Sequence, residues 1–409
     1  METLSTACVI AGGGPAGMMA GFLLARAGID VVVLEKHKDF LRDFRGDTVH
    51  PSTLELMWEL GILDRFLERP HQKVTEVTAD IGDEKFRAGD FTRLPTHCKF
   101  IALMPQWEFL NSLTTEAARY PTFHLLMEAE AVDLLREKNR IIGVRAKTSE
   151  GETDIRAKLV IAADGRHSRL REAAGLKVLD QGSPIDVLWL RLPAEAGDPT
   201  QPVGRFGAGQ MFVMLYRGDY WQCAFVIPKG GFEQMKADGI GQFREKLAAI
   251  AGFARDRVGA IKSFGDVSLL TVTIDRLKRW ARPGLLCIGD AAHAMSPIGG
   301  VGINLAIQDA VAAANLLAPV FLKGNTPSLR DLDRVQRRRE WPAKVVQGFQ
   351  TLVQNRVLAP GLRMQTVPKP PLPLRILNRW AWLRQFPARF LGIGVRPEHI
   401  RTPDCLAKR

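Results

Sequence analysis

At 409 residues, with 46% apolar and 24% charged residues, the chain is ordinary for a soluble globular protein and long enough for one large or two interwoven domains. Five cysteines (Cys8, Cys98, Cys223, Cys287, Cys405) lie scattered without metal-ligand spacing, so no metal site is expected, and they read as reduced thiols of a cytoplasmic protein. The net charge of +12 is uneven: residues 311–409 carry 18 Lys/Arg against 5 Asp/Glu, or +13, which leaves −1 for residues 1–310.

The first 35 residues read as strand, tight turn, helix, strand. Ala7 to Ala11 is a short buried strand, and Gly12-x-Gly14-x-x-Gly17 follows at once, with Pro15 and Ala16 inside the turn. An apolar-periodic helix then runs to about Arg26, Gly28 ends it, and Val31 to Leu34 form a second strand closed by Glu35 and Lys36. Gly12 permits the turn, Gly14 lets the backbone approach a pyrophosphate, and Gly17 lets the helix lie close to the strand. The phosphates then meet free N–H groups at a helix N-terminus. Glu35, 18 residues after Gly17, is placed to accept hydrogen bonds from a ribose diol. The ligand is a dinucleotide. No basic segment precedes the apolar stretch, so it does not read as a signal peptide.

Residues 67–98 carry further strand patterns. "KLVIAADGRHSRLREAAGL" gives another strand, Asp164-Gly165, and a helix beginning near Ser168. After Gly175 the pattern turns to strands, with Arg217-Gly218-Asp219 as a hairpin turn. Their inner face is expected to offer Trp189, Arg191, Met211, Phe212, Met214, Tyr216, Trp221, Cys223 and Phe225, which suits an aromatic or otherwise apolar substrate. Period-2 alternation alone does not say which face meets the ligand.

"PGLLCIGD" is a buried strand ending in Gly289-Asp290, at the carboxyl edge where open α/β sheets bind ligands. An acid there can hold the ribityl hydroxyls of a flavin. Pro297, Gly299, Gly300, Val301 and Gly302 form a backbone that can lie against a flat ring. A helix from Asn304 to about Leu317 follows, and its N-terminal dipole favours negative charge at the flavin N1/C2 edge.

These three motifs, in this order over about three-quarters of the chain, resemble the class A FAD-dependent aromatic monooxygenases, the para-hydroxybenzoate hydroxylase fold that polyprenylphenol hydroxylases share. The resemblance implies an α/β fold: a Rossmann-like FAD-binding domain (1–66, 99–175 and 276–318) with an inserted antiparallel β-sheet substrate domain (67–98 and 176–275) and a mainly helical basic C-terminal segment (319–409). It implies FAD, NADPH or NADH as reductant, and hydroxylation of a phenolic or related apolar substrate with O2 through a flavin C4a-hydroperoxide. It places Arg45 and Gly46 beside the flavin, Gln106 at the ribityl or phosphate region and Asp164 near the pyrophosphate. Pro297 and the glycines after it become the wall beside the reacting flavin carbon. A base that deprotonates a phenol is expected at Tyr216, with His50 and His293 as alternatives. Two other readings of the motifs are a flavin-dependent reductase of isoprenoid double bonds and a non-catalytic flavin-binding regulator.

The tail has no acid between Glu340 and Glu398 and carries Trp341, Trp380 and Trp382. Pro368 to Pro373 mark an extended stretch, and Leu374 to Gln385 form an expected amphipathic helix whose stripe Arg384 interrupts. Three uses stay open: packing back on the FAD domain, peripheral contact with an anionic membrane, and nucleic-acid binding, for which no recognisable module is present.

Overall fold

The computed structural model describes residues 3–41, 48–82 and 84–407. The strand Thr3–Ala11 pairs in parallel with Gly151–Ala162 on one side and with Val31–Leu34 on the other. Leu285–Cys287 and Phe123–Leu126 add parallel strands at either flank. The antiparallel hairpin of Glu130–Glu137 and Arg140–Thr148 attaches to Gly151–Ala162. Val31–Leu34 is buried along its whole length, as parallel strands covered on both faces must be. The helix Pro15–Arg26 packs against both Gly302–Leu322 and Gln106–Ala117. The segment Ile298–Leu322 is long and apolar enough to cross a bilayer, but 72% of its most apolar 18-residue stretch is buried inside the protein. Its apolar residues, with Asn304, Gln308 and Asp309 buried among them, suit it to the core.

A second sheet runs in the order Ser268–Leu270, Ile185–Pro193, Tyr220–Pro228, Gln210–Tyr216, Val203–Gly207, Glu76–Ile81, Glu84–Asp90. All its pairings are antiparallel except that between Val203–Gly207 and Glu76–Ile81. Gly218, at φ +93°, turns the hairpin between Gln210–Tyr216 and Tyr220–Pro228. One face of this sheet packs on the helices Phe232–Asp238 and Ile240–Ile250 through Phe212, Met214, Trp221, Cys223 and Phe225. The other face looks toward the first sheet. The expected inner face therefore mixed two faces: Met211 and Phe212 are neighbours in sequence and point opposite ways. Trp189 and Met211 belong to the side facing the first sheet, and Tyr216 packs with the helices, its ring 5.2 Å from Trp221.

The C-terminal segment packs back on the body. The long helix Leu329–Val353 lies along Gly302–Leu322. The expected helix over 374–385 is instead two helices, Leu372–Arg379 and Gln385–Gly392, separated at Trp380, where φ −113° and ψ 94° are extended. Arg384 explains the break: its guanidinium donates to the carbonyls of Leu377 (2.9 Å) and Asn378 (2.7 Å), groups left free at the end of the first helix. The last residues then cross the half built on the first sheet. Arg26 donates to Thr402 O at 2.6 Å, Tyr120 donates to Asp404 at 3.1 Å, and Ile400 N donates to Glu59 at 2.7 Å.

A buried ionic cluster ties that strap to the core. Asp309, fully buried, accepts from Arg339 Nε at 3.0 Å and pairs with His293 Nε2 at 2.6 Å. Arg339, also buried, reaches Arg396 O at 3.1 Å and Glu398 at 3.4 Å, and Arg338 pairs with Glu398 at 2.6 Å. Burial alone would raise the Asp309 carboxyl, but His293 and Arg339 outweigh it and hold it below the usual carboxylate range. Arg339→Ala removes one of this carboxylate's three partners, leaving its Oδ1 without its guanidinium, and is expected to lower unfolding stability by about 3–5 kcal/mol in denaturant titration. A loss below about 1 kcal/mol would show that the cluster does not hold the strap.

Candidate active site

Between the two sheets lies one cavity of about 1270 Å³. Its floor is the glycine turn. Gly12 has φ +105°, and a Cβ there would stand 2.4 Å from Ala163 O, because parallel pairing brings Ala11 and Ala162 side by side. A Cβ on Gly17 would stand 1.9 Å from Gly12 O, so this glycine serves helix–turn packing and does not line the cavity. Around Gly14 nothing lies within 4 Å of such a Cβ; the backbone there faces open space at the start of helix Pro15–Arg26. Gly12, Gly14, Pro15, Ala16, Glu35, Lys36, Gln106, Asp164 and Gly165 all line this half. Glu35 accepts from Gly13 N at 3.1 Å, which pins the acid against the turn.

Asp164 accepts from Leu170 N through Oδ2 at 3.2 Å, while its buried Oδ1 has no hydrogen-bond partner among the described residues. Burial raises this carboxyl's pKa. An orphaned oxygen beside the glycine turn, and free space at Gly14 before a helix N-terminus, are what a dinucleotide with ribose hydroxyls and a pyrophosphate would satisfy. The residues present fit FAD.

The opposite wall is the Pro297 segment. Asp290, Pro297, Gly299, Gly300 and Gly302 line the cavity, and Asp290 is 3.6 Å from Arg166. Gly299 (φ +76°) and Gly300 (φ +61°) bend the chain so that the helix Gly302–Leu322 starts at the cavity. A Cβ on Gly300 would stand 2.2 Å from Thr48 Oγ1, which donates to Gly300 O at 2.8 Å.

Three residues expected to touch the cofactor instead position this wall. Asn304 is buried, and its side chain is spent on protein: Nδ2 donates to Thr48 O (3.0 Å) and Gly300 O (3.2 Å), while Oδ1 accepts from His50 N (2.9 Å) and Thr53 Oγ1 (2.8 Å). Gly289 is wedged between Ala16 and Ala306, and its N–H donates to Asp309 at 3.1 Å. Val301 packs with Met295 and Leu305. Arg45 and Gly46 lie outside the described residues.

The candidate bases stand away from the cavity. Tyr216 is on the helix-covered face of its sheet. His50 is fully buried, with Nδ1 2.7 Å from Leu391 O, and burial lowers its pKa to about 4 despite the Leu391 and Gly299 carbonyls. That shift stabilises the fold fully above about pH 6.5 and is lost as pH falls through about 4. His293 belongs to the Asp309 cluster.

Sequence reasoning missed a clamp on the same wall. Gln347, Gln350 and Gln354 project from one side of the C-terminal helical segment into the core, fully or almost fully buried. Gln347 Nε2 donates to Asp275 O (2.7 Å) and Ala294 O (2.9 Å). Gln350 Nε2 donates to Ser296 O (2.9 Å) and Ile298 O (3.0 Å) and its Oε1 accepts from Ser296 N (3.1 Å), while Gln354 Nε2 donates to Ser296 Oγ (2.8 Å). The available signal was amides at i, i+3 and i+7 where a helix would carry apolar residues. Side chains with both donor and acceptor can hold irregular backbone that has no ladder partner.

The two cavity glycines make separable predictions. Gly14→Ala is expected to leave the cofactor-free stability within about 0.5 kcal/mol, since its Cβ meets no protein atom, and to weaken FAD binding about tenfold or more. Gly12→Ala is expected to lower stability itself, by roughly 1–3 kcal/mol from backbone strain alone. Thermal unfolding and FAD titration read the two effects; FAD binding unchanged in Gly14→Ala would contradict the cradle.

Comparison with known proteins agrees with this geometry. The family model described as FAD binding domain matches residues 5–348. The chain is 34% identical to 6-methylpretetramide 4-monooxygenase of Streptomyces rimosus, over 87% of this chain and 84% of that protein. It is 28% identical to rifampicin monooxygenase of Streptomyces venezuelae, over 74% of this chain but 62% of that longer protein. Its fold matches the crystal structure of p-nitrophenol 4-monooxygenase from Pseudomonas putida with a TM-score of 0.74, at 19% identity, covering 97% of this chain and 100% of that one. The chain belongs to the class A FAD-dependent aromatic monooxygenases of the para-hydroxybenzoate hydroxylase type, enzymes that hydroxylate aromatic substrates with NAD(P)H and O2.

Proposed function

We propose that the substrate is a fused-ring phenol bound between the Pro297 segment and the second sheet. The observation that carries this reading is the apolar wall opposite Pro297. Cross-strand register puts Val187, Val226 and Met211 in one row and Trp189, Ala224 and Val213 in the next, and all six line the cavity. Ile298, Val353 and Leu358 pack on the same cluster from the flavin side. Such a slot accepts a flat apolar ring system and excludes water from it. A volume of about 1270 Å³ exceeds the ~300–1,000 Å³ usual for a single small ligand, in keeping with a dinucleotide plus a substrate. The relative that acts on 6-methylpretetramide supports a substrate of this kind.

FAD, when bound, supplies the redox and oxygen chemistry. The chain contributes binding, orientation and dryness. Glu35 and the Gly12–Ala16 turn would hold one end of the cofactor; Asp290 and the Pro297–Gly302 backbone would hold the other. The start of helix Gly302–Leu322 favours negative charge beside that backbone.

In air with NADPH or NADH, fused-ring phenols are expected to accelerate nicotinamide oxidation about tenfold or more over the substrate-free rate. The product should gain one oxygen. A product gaining two hydrogens, or stimulation by single-ring phenols alone, contradicts the reading. Tyr216→Phe should retain turnover within about twofold, since the ring lies on the covered face; loss of turnover would restore it as a base.

We also propose a peripheral membrane contact for the tail. Leu372, Trp380, Trp382 and Phe386 are each about half exposed or more, and Arg375, Arg379, Arg384 and Arg389 lie among them without an acid. Exposed aromatic groups interleaved with cations favour an anionic interface. The protein is expected to sediment with phosphatidylserine vesicles at low salt and to be released at high salt; remaining in the supernatant at low salt contradicts the contact.

A further inference from the structure

The cavity-facing side of the second sheet does not end in apolar residues. Beyond the two rows of the wall, register brings a third: Arg191, Gln222 and Leu215 on adjacent strands. Gln222 lines the cavity and is only 4% exposed. Its Oε1 accepts from Arg217 Nε at 3.2 Å, whereas its buried Nε2 has no hydrogen-bond partner among the described residues. The orientation of this amide is not arbitrary. Turning it over would set an NH2 group against a guanidinium, donor against donor, so Arg217 fixes the oxygen toward itself and the NH2 away. A buried unpaired donor costs stability, which a ligand oxygen can offset.

We propose that Gln222 is a specificity-determining residue, donating through Nε2 to a carbonyl, phenolate or enolate oxygen at the end of the substrate, with Arg217 as its positioning residue. This rests on the fused-ring reading above. Arg217, bonded to the amide oxygen, leaves the NH2 group as the part of Gln222 that can meet a ligand acceptor. Gln222 offers a donor, its oxygen being engaged by Arg217, so the site favours oxygen acceptors over hydrocarbon edges of the same shape.

The test uses the FAD-loaded protein and two flat probes, 1,8-dihydroxyanthraquinone and anthracene, with binding read from the perturbed visible absorbance of the flavin. Gln222→Met keeps the length and removes the donor. Gln222→Glu keeps a partner for Arg217 and turns the donor into an acceptor-only carboxylate. Both variants are expected to bind FAD as wild type does. Gln222→Met should bind the dihydroxyanthraquinone roughly tenfold more weakly and Gln222→Glu more weakly still, with anthracene unchanged within about twofold in both. Equal affinity of wild type and Gln222→Met for the oxygenated probe overturns the assignment alone, and so does an equal loss for both probes. A wild type that binds neither probe overturns the fused-ring reading as well.

Discussion

The site depends on one buried carboxylate. Asp309 stands on the long core helix, where an acid has no reason to be unless it is fully paired, and three parts of the chain supply its partners. Gly289 N comes from the turn that ends a core strand, His293 from the segment leading to Pro297, and Arg339 from the C-terminal helix. A charge taken out of water holds these groups to narrow geometry, because losing one leaves the carboxylate under-paired in a low-dielectric interior. The turn at Asp290 is therefore set from behind, by residues that do not line the cavity.

The same logic repeats nearer the flavin. The Pro297–Gly300 backbone is irregular and has no sheet or helix ladder of its own. Asn304 stitches it to Thr48, and Gln350 and Gln354 clamp it from the C-terminal helix. A flat ring demands a backbone without side chains; a backbone without side chains needs outside support to keep one shape. The polar side chains around this wall serve that purpose, which explains how a site whose substrate side is apolar can be surrounded by buried amides.

Much of this was legible in the sequence, and the limits have physical reasons. Local motifs carried the strand–turn–helix units, because Gly12, Gly17 and Gly300 are required by contacts that a Cβ would violate at 2.4, 1.9 and 2.2 Å. Residue type alone could not separate contact from support: Asn304 and Gly289 belong to the motif yet face the protein, not the cavity. The second sheet's strands followed from alternation, but its two faces are both apolar, so Phe212 and Met211 gave no hint of which faced the cavity. Tyr216 was misplaced for the same reason. The break at Trp380 depended on Arg384 reaching back to carbonyls of the preceding helix, a contact that a stripe of hydrophobicity does not encode.

A glycine turn at the end of the first strand and the Pro297 wall, nearly 300 residues later, meet across one continuous cavity. Denaturing the purified protein and measuring the flavin released tests this most directly. The account predicts FAD, intact and non-covalent, approaching one per chain, either as purified or after incubation with FAD. A chain that neither carries FAD nor takes it up would contradict the account.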